Sequence, residues 1–142
     1  MNKPNHSSLH MIELIISILF FMLASAESIG FFAHAKQNTI RSRELSGSVL
    51  HITSAAETVK AVNGNADKVS DALFGKKHNR SVYVYYDKDF EVVDNPQKAS
   101  YILSIDTNIG DNMLVSNISM NGNNGLINQI EVKKYLKDDT GG

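Results

Sequence analysis

From Leu14 to Ala26 the chain reads LIISILFFMLASA, thirteen residues without a charge and with two serines as the only polar side chains. Wherever water is excluded, such a stretch must satisfy its own backbone N–H and C=O groups, and a single segment does that by becoming a helix. Leu, Ile, Met, Phe and Ala suit one, no proline stands between Pro4 and Pro96, and Gly30 is the one weak point. Thirteen residues fall short of the roughly 20 that cross a bilayer core. Extension through Glu13 and Glu27 gives Leu9 to Ala35, 27 residues, or about 40 Å of helix at about 1.5 Å per residue. That is long enough to span, provided two carboxylates are accommodated.

Three readings of this segment predict three different mature N-termini. In the first, Lys3 is a short basic n-region, Leu14 to Leu23 an h-region and Ala24-Ser25-Ala26 a small-residue cleavage site, so that a secreted domain starts at Glu27. Against it stand Glu13 at the mouth of the h-region and the apolar run from Ser28 to Ala33, which a soluble domain would have to hide. In the second, the segment is a plain single-pass anchor with Glu13 and Glu27 near the two membrane faces. Lys36, Arg41 and Arg43 then outweigh Lys3 and favour a cytoplasmic C-terminal side.

The third reading starts from the carboxylate, because an acid inside a membrane helix costs roughly 2.5 to 3.5 kcal/mol on insertion scales and marks a functional site. The run Ser7-Ser8-Leu9-His10-Met11-Ile12-Glu13-Leu14-Ile15 resembles the prepilin processing motif of type IV pilins and type II secretion pseudopilins. The resemblance implies a leader from Met1 to Ser8, cleavage after Ser8, N-methylation of the new amine at Leu9, and a fifth-position glutamate at Glu13. Ser8 stands where that family usually has glycine, and Leu9 where it often has Phe or Met. Cleavage places a cationic amine at Leu9 in apolar surroundings, where the Glu13 of a neighbouring subunit can neutralise it, and two charges that are costly alone become tolerable as a pair. Glu27 lies fourteen residues beyond Glu13, close to four helical turns, so both carboxylates share a face. Glu27 is either a second buried acid or a marker of the outer membrane surface.

Beyond Ala35 a helical period persists in polar surroundings, with Leu45, Val49, Ile52, Ala56 and Val59 forming a core-facing stripe. Asn63-Gly64-Asn65 ends it. The spacing predicts one helix from about Leu9 to about Val62, with Gly47 a place for it to bend. Asn65 can cap a second helix over Ala66 to Phe74, with Val69, Ala72 and Leu73 inward and Gly75 as a stop. Period two then takes over. Val82 to Tyr86 and Phe90 to Val93 read as a hairpin about Asp87-Lys88-Asp89, followed by strands over Ala99 to Thr107, Met113 to Met120 and Leu126 to Leu136. Tyr101, Leu103 and Ile105, then Leu114, Ile118 and Met120, then Ile130 and Val132, are their inner faces. Four or five antiparallel strands with one wet face need a cover, and the polar half of the long helix supplies it, which makes an α+β head. The expected organisation is leader 1–8, transmembrane or fibre-core helix 9–35, amphipathic continuation 36–62 and head 63–142.

Nothing in the head reads as catalytic. The chain has no cysteine, hence no disulfide frame, thiolate nucleophile or Cys-type zinc site, and its histidines at 6, 10, 34, 51 and 78 show no ligand spacing. No phosphate-binding glycine pattern or nucleophile elbow occurs, and Asp87, Asp89 and Asp94 lack calcium-loop spacing. Fourteen basic against fifteen acidic side chains argue against an electrostatic nucleic-acid binder. Lys76, Lys77 and Arg80, near Tyr83 and Tyr85, are the one cluster that can touch a nucleic-acid backbone, and a solvated loop is the plainer account. The expectation is a structural subunit without cofactor or metal. Its partners would be a prepilin peptidase, other pilin or pseudopilin subunits, the cytoplasmic membrane and the pilus assembly machinery, with the head outside the cell. A secreted or membrane-anchored binding module is the alternative.

Overall fold

The computed structural model describes residues 6–137. In chain order it contains α1 (His6–Ala61), α2 (Ala66–Leu73), β1 (Lys76–His78), β2 (Ser81–Tyr86), a 3-10 turn (Pro96–Lys98), β3 (Tyr101–Gly110), β4 (Met113–Gly122) and β5 (Gly125–Tyr135). This is the α+β layout that the change of period predicts: a long N-terminal helix and a five-stranded antiparallel sheet in the order β1-β2-β3-β4-β5. The chain divides into two compact units, one up to Ser42 and one from Arg43 onward. Met1 to Asn5 of the expected leader, and 138–142 of the expected head, lie outside the described residues.

Among the described side chains of the first unit's helix all stand exposed, Ser25 alone being partly covered. Four hydroxyls fold back on the helix: Ser17, Ser25, Ser28 and Thr39 donate to the carbonyls of Glu13, Phe21, Ala24 and Ala35 at 2.8–2.9 Å. Those four hydroxyls are thereby satisfied by their own helix.

In the second unit the sheet is a meander whose register lines up its inner residues. Val84 faces Leu103 and Leu103 faces Met120, while Val82, Ile105, Ile118 and Ile130 form the next row. Ile52, Ala55, Ala56 and Val59 of α1 and Val69 of α2 complete the core over them. Asn63 and Gly64 turn left-handed after α1, and the Gly64 N–H closes on the Val59 carbonyl at 2.9 Å. Glycine is needed there, since a β-carbon would meet Leu114 Cδ1 at 2.3 Å. Asp111 and Asn112, both at positive φ, make the tight β3–β4 turn.

Several expectations are corrected. Leu45 and Val49 stand half exposed, and Ser48 with Ile52, Ala55, Ala56 and Val59 makes the buried stripe instead. The cover is rotated because aromatic side chains from the sheet side claim the face of Gly47 and His51: Gly47 lies under the Phe90 ring, where a β-carbon would approach to 2.4 Å. Phe90 to Val93 is not a strand. Asp87 Oδ1 accepts the N–H groups of Asp89 and Glu91 at 2.8 and 3.0 Å, the chain turns left-handed at Phe90, and only a single bridge from Tyr86 to Val92 survives. Lys76–His78, read as loop, is instead the edge strand β1, joined to β2 by a turn with Asn79 at positive φ. Helix α2 stops at Leu73, with Phe74 rather than Gly75 in the left-handed cap, and Ala72 faces out.

Candidate functional surface on the N-terminal helix

The residues singled out for processing and assembly all lie on α1. Its first turn carries no acid, and Glu13 is its first carboxylate. The Glu13 side chain is about three-quarters exposed, with its Oε2 3.6 Å from His10 Nδ1 one turn back. Glu27 is exposed and belongs to no ion pair among the described residues. Around the two acids the surface is apolar: Phe20, Phe21, Phe31 and Phe32 are each at least 66% exposed. Soluble monomers rarely display so large a continuous apolar surface, which marks a membrane or protein contact. By length and composition this helix is long and apolar enough to cross a membrane.

The basic cluster of the head is differently placed. Lys77 Nζ lies 2.7 Å from Asp67 Oδ1 at the start of α2, and Lys76 Nζ donates to the Asp94 carbonyl at 2.6 Å. Two of the three cations are thus engaged at home, which reduces what they offer a phosphate backbone. Arg80 borders a shallow recess with Asp106, Asn108 and Asn117. Tyr83 and Tyr85 are half-buried on the outer sheet face. Among the described residues no three His, Asp or Glu side chains are grouped to hold a metal.

Sequence reading missed a polar and aromatic clasp on the second unit. Arg43 Nη2 meets Asp89 Oδ1 at 2.7 Å, and that hydrogen bond, with the charge of Lys88 beside it, holds the Asp89 carboxyl below its ordinary range. Phe90 stacks on Tyr101 with ring centroids 4.3 Å apart, and His51 sits 4.4 Å from Tyr86 and 5.5 Å from Phe90. Burial lowers the His51 pKa and pushes the Tyr86 phenol up to about 12. Burial and then the Glu44 carboxylate, which accepts the Tyr101 hydroxyl at 3.2 Å, raise the Tyr101 pKa. Beside them the Ser48 hydroxyl is buried without a hydrogen-bond partner. The clasp pins the 87–93 loop to α1 and contains no nucleophile–base pair. Its local signal was the Asp-x-Asp spacing at Asp87 and Asp89, which builds an Asx turn as readily as a hairpin.

Comparison of the chain with known protein families, curated proteins and solved structures finds no match.

Proposed function

We propose that this chain is a prepilin-like structural subunit, stored in the cytoplasmic membrane through α1 with its head outside, cleaved after Ser8, methylated on Leu9 and assembled by helix packing into a type IV pilus or a type II secretion-like filament. The main support is the exposed apolar surface from Leu9 to Phe32, carried on the same helix whose later residues cover the sheet. A soluble binding module starting at Glu27 would keep Ile29, Phe31 and Phe32 on its surface, each more than 70% exposed, and that counts against the secreted alternative. The work of such a subunit is done by packing, so no catalytic residue is assigned. Glu13 is the assembly residue in this reading, paired with the Leu9 amine of a neighbouring copy.

The test is the mature N-terminus, read by intact mass and terminal peptide sequencing from cells that carry a prepilin peptidase. Methylated Leu9 is the expected start. A start at Glu27 would replace the reading with a secreted domain, and an intact Met1 would leave a plain anchor. The Glu13→Ala variant should insert and be cleaved normally yet fail to enter fibres, and normal incorporation would remove Glu13 from the mechanism.

A further inference from the structure

We infer that Glu27 is a pairing site for a second copy of the same helix, and that its partner there is Lys36 of a parallel neighbour slid by nine residues. The inference rests on the assembly reading above and adds a register to it. Between Leu14 and Ala35, Glu27 is the only Asp, Glu, Lys or Arg. Its neighbours one turn away are Leu23, Ala24, Gly30 and Phe31, so its own helix offers no cation at the spacings where side chains meet. Lys36 is in the mirror position: Phe32, Ala33, Thr39 and Ile40 surround it, and among the described residues it belongs to no ion pair. Whatever covers the exposed phenyl rings on either side of Glu27 also covers the carboxylate, and a covered charge requires an opposite one. Acyl chains supply none. A second copy of this helix does.

Charge arithmetic then chooses the offset. Insertion orients every copy the same way across the membrane, so neighbouring helices are parallel and differ by a slide. Three slides bring a cation to Glu27. Sixteen residues would align Arg43, but that guanidinium is already held by Asp89 at 2.7 Å. Fourteen residues would align Arg41 with Glu27, but would also bring Glu13 of the first copy level with Glu27 of the second, acid against acid. Nine residues align Lys36 with Glu27 and put Glu13 level with Met22. The nine-residue slide satisfies the Glu27–Lys36 pair and sets no like charges together, while Glu13 meets the Leu9 amine on a different neighbour at a slide of four residues; nine residues correspond to about 13.5 Å at about 1.5 Å per residue.

The chain lacks cysteine, so introduced thiols report the register without background. Phe20 and Ile29 lie two turns before Glu27 and Lys36 on the same faces, and leave both charges intact. Full-length Phe20→Cys and Ile29→Cys copies, co-expressed in membranes and oxidised, should form the mixed disulfide several-fold faster than Phe20→Cys with His34→Cys, which reports the fourteen-residue slide. Glu27→Lys on the Phe20→Cys copy should lower the first cross-link by about tenfold or more, as expected when a covered pair becomes a repulsion, and Lys36→Glu on the Ile29→Cys copy should restore it. Equal rates for the two cross-links, or no restoration by the reversed pair, would overturn the pairing. A mature start other than Leu9 with the cross-link pattern intact would sink the prepilin reading alone and leave the Glu27–Lys36 register standing.

Discussion

His51 is held between the rings of Tyr86 and Phe90, an environment that disfavours its charged form through burial. A base whose pKa is depressed on folding binds protons less readily in the folded chain than in the unfolded one. Its contribution to stability is therefore complete above the ordinary value of 6.5 and declines as pH falls from there toward the depressed folded value. The urea midpoint of the full chain in detergent should drop between about pH 7 and pH 5, and the drop should shrink in His51→Gln. An unchanged pH slope in that variant would remove His51 from the account. Asp89 acts in the opposite part of the scale: held low by Arg43 and Lys88, it adds stability above the usual carboxyl range that is lost only in stronger acid. Neither role was legible in the sequence. Five histidines without ligand spacing say nothing about which one the 87–93 loop will cover, because that depends on a turn at Phe90 that pattern reading took for a strand.

At the scale of elements, the two halves of α1 obey different constraints, and its glycines show it. Gly30 has open space where a β-carbon would go, whereas at Gly47 that carbon would meet three atoms of the Phe90 ring at 2.4–2.7 Å. The ring cannot slide freely, since Tyr101 stacks on it at 4.3 Å. Alanine gains up to about 1 kcal/mol of helix propensity at either site, but overpacking costs about 1–3 kcal/mol. Gly47→Ala should then destabilise the head by about 1–2 kcal/mol, while Gly30→Ala should leave the head's unfolding midpoint unchanged and slightly raise helicity. Near-UV and far-UV circular dichroism through a urea titration separate the two, and a Gly47→Ala head as stable as the parent would mean Phe90 is not seated as described. Regular elements were legible because their periods are long. Strands β3, β4 and β5 and their inner residues follow from alternation, and the end of α1 from Asn63-Gly64. The rotation of the buried stripe was not legible, since Leu45 and Val49 fit the heptad as well as Ile52 does; what decides is the size of the Phe90 ring, which leaves room only for glycine at position 47 beneath it. Three-residue β1 was missed for the opposite reason, being too short and too charged to carry a period.

For the whole molecule, the division after Ser42 separates a part with no buried side chain among its described residues from one that owns a complete core. Every buried apolar residue of that core, from Ile52 to Val132, lies in the second unit, as do the Arg43–Asp89 pair and the Lys134 ammonium, which donates to the Lys60 carbonyl and to Asn63 Oδ1 at 2.8 Å. The fold class was readable from the sequence because the same helix changes from an apolar run interrupted by Glu13 and Glu27 to a polar, amphipathic one beyond Lys36. The exposed surface before Ser42 was readable only as an apolar run with two acids in it, since nothing else in the chain sets what covers it. A chain of residues 41–142, about 100 residues and enough for an independent core, should thus fold without detergent, keep the near-UV signal of the full chain and elute as a monomer. Leu45, Val49 and Leu50, 49%, 47% and 68% exposed, are what could make it do otherwise, as a short apolar strip on the outward side of α1. Elution as a monomer assigns self-association to the helix before Ser42 and agrees with a register set by Glu27 and Lys36. A concentration-dependent dimer abolished by Leu50→Gln would instead place part of the contact on the head, and the apolar span would then be an anchor for an interface built elsewhere.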